Sequence, residues 1–127
     1  MKRIEALALT ISKYSGGFDP EDEAFKLCNP GRLRSFSART LQTSSDSRLR
    51  SFGTWLDGMR ALVFDLQVKC GGKSRTHLKP AASLKDLLGI WEIRTMRKPL
   101  TFLKRAIGAS DIFPTTPVSW FLEGSNG

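Results

Sequence analysis

The chain has 127 residues, 40% of them hydrophobic, and carries 20 Lys and Arg against 12 Asp and Glu, a formal net charge of +8. That length suits one domain, residues 1–127, with a modest core and no room for a second. No run approaches the length of an apolar membrane span, and one His with two Cys supplies neither a metal-ligand cluster nor a disulfide framework, so no metal or cofactor is implied.

Residues 2–14 place Ile4, Leu7, Ala8, Ile11 and Tyr14 at i, i+3, i+4, i+7 spacing, which predicts an amphipathic helix with one buried stripe. Glu5 and Lys13 interrupt the apolar run and no small-residue cleavage site follows, so this segment reads as mature chain rather than a signal peptide. Gly16-Gly17 stops the helix. Asp19-Pro20-Glu21 then reads as a cap, a first-turn Pro and first-turn acids, opening a short helix through about Leu27. Pro30 forbids its continuation. Leu33 to Thr43 and Arg48 to Phe52 alternate weakly around a Ser-rich turn, which predicts a small β-hairpin.

Thr54 caps a central helix running to about Lys69, with Trp55, Met59, Leu62, Val63, Leu66 and Cys70 on its apolar stripe and Ala61 and Phe64 widening it. Gly71-Gly72 ends it, and Lys73 to Ala82 is a basic loop. Ser83 caps a helix carrying Leu84, Leu87, Leu88 and Trp91. Pro99 opens another, lined by Leu100, Leu103 and Ile107 and stopped by Gly108. An extended connection over 109–117 leads to a short terminal helix, Val118 to Leu122, whose Trp120 and Phe121 dock back. The fold class is therefore mostly α, an α+β chain with one small hairpin. Cys28 and Cys70 read as two buried thiols of a reducing compartment, with a single pair across the core left open.

Two motifs point further. Asn29-Pro30-Gly31-Arg32-Leu33-Arg34 is followed about twenty residues on by Arg50-Ser51-Phe52-Gly53-Thr54-Trp55-Leu56-Asp57-Gly58-Met59-Arg60-Ala61-Leu62. An Asn-Pro-Gly turn into a short basic strand, then Phe, an aromatic, Gly and Arg-Ala at a helix, resembles the core of small phage-encoded lysozyme-like proteins. The resemblance covers residues 2–107 and implies a lysozyme-like helical domain with one hairpin. In that family the first helix ends in Glu-Gly, and the Glu is the catalytic acid. Here the helix ends Tyr14-Ser15-Gly16-Gly17, so Ser15 stands at the acid's position, and Arg32 replaces the family's usual Asn after the Asn-Pro-Gly turn.

Glycosidic cleavage needs a protonated carboxylic acid at the scissile oxygen. A serine hydroxyl does not donate usefully near neutral pH. The nearest carboxylates include Glu21 and Glu23, the candidates for a relocated acid. Their place at a helix start stabilises the anion and lowers the pKa, the wrong direction for an acid, so capping is the stronger reading. The ligand-binding candidates are Ser15, Asn29, Arg32, Arg34, Arg50 and Trp55. Asn29 also serves the turn, the arginines also suit a solvated strand edge, and Trp55 also fits core packing. His77 lies in a Lys/Arg loop without an acid or thiol partner, and Gly71-Gly72-Lys73-Ser74 is only a fragment of a phosphate loop.

Charge is unevenly distributed: residues 1–31 hold four bases and five acids, and residues 32–127 hold sixteen bases and seven acids. Such asymmetry favours an anionic partner, a cell-wall glycan or a nucleic acid, against the plainer reading of a solvated basic face. The expected function is a phage- or prophage-derived lysozyme-like protein with a degenerate site, binding cell-wall glycan or serving in a virion or tail with virion protein partners. A basic nucleic-acid-binding module is the second reading, with bases of Lys98 to Ile107 on one helix. An active peptidoglycan-cleaving enzyme with a relocated acid is the third. The expected setting is soluble, in the host cytoplasm or the virion.

Overall fold

Residues 3–14 contain neither Gly nor Pro and form α1 (Arg3–Tyr14), which buries Ile4, Ala6, Leu7, Ala8, Thr10, Ile11 and Ser12. This exceeds the single stripe that the spacing predicts. The reason is that α1 has neighbours on several sides: α3 (Trp55–Cys70), α5 (Arg97–Ile107) and a terminal 3₁₀ helix (Val118–Leu122) all pack on it. Its buried hydroxyls are satisfied within the helix, Thr10 Oγ1 donating to the Ala6 carbonyl at 2.8 Å and Ser12 Oγ to the Ala8 carbonyl at 2.9 Å. Small Ala6 and Ala8 let the neighbouring elements approach closely.

The computed structural model describes residues 1–33, 49–72 and 78–123. Between α1 and α3 lies one short turn of helix, α2 (Glu23–Lys26), and between α3 and α5 lies α4 (Leu84–Ile90). The chain is mostly helical, and among the described residues there is no sheet; the β-bridge they form pairs Ser83 with Pro117. One core joins these elements, built on Leu7 and Ile11 of α1, Leu62 and Leu66 of α3, Leu84, Leu87 and Leu88 of α4, Leu103 of α5, and Ile112, Val118 and Phe121.

Caps fall where side-chain chemistry favours them. Thr54 Oγ1 accepts from the Asp57 N–H at 3.1 Å and opens α3. Ser83 and Asp86 form a reciprocal capping box on α4. The next two orphan donors of α4 are satisfied from the C-terminal segment: Leu84 N–H donates to the Thr116 carbonyl at 2.8 Å and Lys85 N–H to the Pro114 carbonyl at 3.0 Å. Val118 N–H returns to the Ala82 carbonyl at 2.8 Å. The stretch expected only as an extended connection thus seals a helix start. Gly108 ends α5 in the left-handed conformation, φ +80°.

Three expectations need correction. The second helix begins at Glu23 with Asp22 as its cap, because Asp19 is absorbed into a preceding turn in which Asp22 N–H bonds the Asp19 carbonyl at 2.9 Å. Phe64 does not widen the apolar stripe of α3; it is 67% exposed, on the side of the helix away from α1. Trp55 is half-buried but stands apart from the core cluster, against Phe18. The expected hairpin falls mainly on residues 34–48, outside the described residues; at its base, Arg50 N–H donates to the Leu33 carbonyl at 2.8 Å.

Leu66 is fully buried, so Leu66→Ala should cost about 2–5 kcal/mol in urea unfolding, whereas Phe64→Ala should stay within about 0.5 kcal/mol. Equal effects would show that the two faces of α3 are assigned wrongly. Burial pushes the Cys70 thiol up from 9.0 to about 12, with Lys69 opposing the rise and Asp65 adding to it. The folded state therefore holds this proton more tightly than the unfolded one, a contribution complete below pH 9 and lost between there and about 12. The stability difference between the wild type and Cys70→Ala should narrow as pH rises through that window.

Candidate functional site

The Asn-Pro-Gly turn is built by close backbone approach. A Cβ on Gly31 would lie 2.5 Å from Leu62 Cδ1, one on Gly17 would lie 2.8 Å from the Pro30 carbonyl oxygen, and one on Gly58 would run into the Cys28 carbonyl. Glycine at these positions lets the turn sit between the exit of α1 and the first turns of α3. Cys28 and Arg32 flank the turn at φ 54° and 52°, left-handed values that cost a side-chain-bearing residue about 1–2 kcal/mol each.

Asn29 holds this strained corner. It is fully buried, its Nδ2 donates to the Leu33 carbonyl at 2.7 Å and the Arg50 carbonyl at 3.0 Å, and its Oδ1 accepts from the Leu33 N–H at 2.9 Å. One side chain therefore joins residues on either side of segment 34–48. Trp91, the C-cap of α4, donates from Nε1 to the Gly31 carbonyl at 2.6 Å and fixes the turn from a third direction. This makes Asn29 and Trp91 framework residues whose polar atoms are committed to backbone.

Ser15 lies at the C-cap of α1, and its hydroxyl donates back to the Ile11 carbonyl at 2.6 Å. Arg32 reaches the same place. Its Nη1 donates to the Ser15 carbonyl at 3.4 Å and pairs with Asp22 Oδ1 at 2.6 Å, the oxygen that also caps α2 through Ala24 N–H at 2.8 Å. Gly16, at φ +97°, leaves the space that the Asp22 carboxylate fills. Ser15, Arg32 and Asp22 thus form one polar knot. The tie of Asp22 to Arg32 spans ten residues and has no local signal in the sequence.

The other candidates are dispersed. Glu21 and Glu23 are exposed, and the Glu21 N–H is held in the turn by Asp19 Oδ1 at 3.0 Å. Arg50 is exposed, with its guanidinium 4.8 Å from the Phe52 ring centroid. Trp55 stacks obliquely on Phe18 at 5.9 Å. Arg34 lies outside the described residues, as do Lys73, Arg75 and His77.

A separate groove of about 630 Å³ runs between the end of α1 and the outer face of α5, lined by Lys13 and Tyr14 on one side and by Arg97, Lys98, Thr101, Phe102 and Arg105 on the other. Tyr14 and Phe102 meet edge to face at 6.2 Å, and Lys13 Nζ lies 5.7 and 5.6 Å from the two ring centroids. Among the described residues no carboxylate lines it. The basic run 94–105 is visible in the sequence, but its meeting with Lys13 and Tyr14 depends on α1 packing against α5. Among the described residues no three His, Cys, Asp or Glu gather as a metal site, and no helix is long and apolar enough to cross a membrane.

Asn29→Ala leaves the Arg50 carbonyl and the Leu33 N–H without their partner, and the Leu33 carbonyl with the Arg50 N–H alone, so it should destabilise the fold by more than about 2 kcal/mol. Arg32→Ala breaks a pair whose side chains are 37% and 29% exposed and should cost less than about 1 kcal/mol. Chemical denaturation of both variants checks the ranking; the reverse order would make the ion pair, not the amide, the holder of the turn.

No family, no curated protein and no solved structure matches this chain.

Proposed function

We propose that this chain is a phage- or prophage-derived lysozyme-like protein that no longer hydrolyses glycan and acts by binding, holding a cell-wall glycan or taking a place in a virion or tail. The observation that carries this reading is the knot at Ser15. The residue at the position of the family's acid is a neutral alcohol whose proton is donated to the Ile11 carbonyl, beside the closed Arg32–Asp22 pair. A general acid needs a carboxyl group held in a partly apolar cleft, where burial raises its pKa. Glu21 and Glu23, the candidates for a relocated acid, stand in solvent, Glu21 ahead of α2 and Glu23 in its first turn, and not in an apolar cleft.

Binding without turnover is compatible with the rest of the corner. Asn29 and Trp91 have spent their polar atoms on the fold, while Arg50 and the Trp55–Phe18 pair remain accessible to a ligand. Exposed aromatic rings suit the apolar face of a wall polymer, and Arg50, over the Phe52 ring, suits its carboxylates.

Purified protein should therefore leave a peptidoglycan suspension as turbid as a protein-free control, and should co-sediment with it even at about 0.5 M salt, where exposed charges are screened beyond a few ångströms. Clearing that disappears in Glu21→Gln or Glu23→Gln would replace this reading with an enzyme whose acid has moved. Failure to sediment, without clearing, would leave assembly as the role.

A further inference from the structure

The groove between α1 and α5 gathers four cations and two aromatic rings that the glycan reading does not use. Its four cations, Lys13, Arg97, Lys98 and Arg105, are all exposed, and none takes part in the ion pairs among the described residues, which join Arg32 to Asp22 and Lys69 to Asp65. The first turn of α5 carries Arg97 and Lys98 and no acid, so side-chain charge adds to the positive end of the helix instead of offsetting it. Such a site repels cations and gains most from a ligand with closely repeated negative charge. A glycan would instead call for paired donors and acceptors. Here Thr101 Oγ1 already donates to the Arg97 carbonyl at 3.0 Å, and among the described residues no Asn, Gln, Asp or Glu lines the groove.

The second element is aromatic. Tyr14 and Phe102 form the wall, half-buried and in contact with each other, and Phe102 is not part of the buried core. Rings along a basic groove offer surfaces for bases whose phosphates follow the cations. Only an unstacked base can present its face to such rings, which favours one strand over two. We propose that this groove binds single-stranded nucleic acid, its phosphates on Arg97, Lys98, Arg105 and Lys13 and a base against Phe102 and Tyr14. The inference stands independently of the wall-binding reading, since it uses other residues and another ligand.

The test is fluorescence anisotropy of a labelled thymidine oligonucleotide with the full chain, between about 50 and 200 mM salt. Four phosphate contacts give a slope of about −2.8 in log affinity against log salt, an affinity loss of about 50-fold over that range. Arg97→Gln/Lys98→Gln should reduce the slope by about 1.4 and the loss correspondingly. Phe102→Leu should weaken binding at least about fivefold at every salt concentration while leaving the slope alone. Absence of binding, or an unchanged slope in the double variant, would overturn the proposal. So would equal competition by duplex DNA, polyglutamate or a cell-wall pellet, which would make the groove a general polyanion surface. Both substitutions lie outside the core; should Phe102→Leu fail to fold, the slope of the double variant and the competition decide the matter.

Discussion

The fold depends on a backbone corner, residues 28–32, that sits closer to its neighbours than side chains permit. Three glycines open the space and one buried amide closes the hydrogen bonds. Each half of this arrangement needs the other. Without Gly31 and Gly58 the turn cannot approach α3, and without Asn29 the Arg50 carbonyl and the Leu33 N–H at this corner would lose their partner. The corner also decides where the chain can go next, because Leu33 and Arg50 leave it bonded to the same side chain. Pro30 contributes rigidity and Trp91 a peg from α4, so elements far apart in sequence converge on this corner.

Helices with a strong local grammar were legible from the sequence. Thr54 and Ser83 as caps, Gly108 as a stop and the Leu62/Leu66/Cys70 spacing all rest on interactions within a few residues, and the structure places them as expected. What was hidden is tertiary. Ala6, Thr10 and Ser12 are small or polar, and nothing in their spacing marks them as buried; they are covered because α3, α5 and the terminal helix surround α1. Phe64 illustrates the converse, an aromatic residue whose periodicity is ambiguous and whose helix side faces solvent. The cap shift from Asp19 to Asp22 reflects a local choice between two chemically equal carboxylates, which Arg32 settles from across the turn.

The candidate site divides in the same way. Asn29 and Arg32 were visible as motif residues, yet their work is inward: one satisfies backbone, the other an acid. The basic groove went unseen as a unit because half of it is Lys13 and Tyr14, whose own segment carries net negative charge in the sequence. Charge counted along a chain says where cations are frequent; only packing brings two helices' side chains to one groove. The resulting surface carries exposed cations that the ion pairs among the described residues do not use.

The contact between the two extremes of this fold has a consequence for biosynthesis. Arg3 Nη1 donates to the Trp120 carbonyl at 2.9 Å, across 117 residues, and its guanidinium lies 3.7 Å from the Trp120 ring centroid. Helix α1 is made first, but its covering partners α5 and the terminal helix are made last. Throughout elongation an amphipathic helix with a broad apolar side must wait for its cover. At typical translation rates of about 5–20 residues per second that interval lasts several seconds, long compared with the folding time of a small helical domain. The topology thus leaves the apolar side of α1 without its last partners until the end of the fold is made.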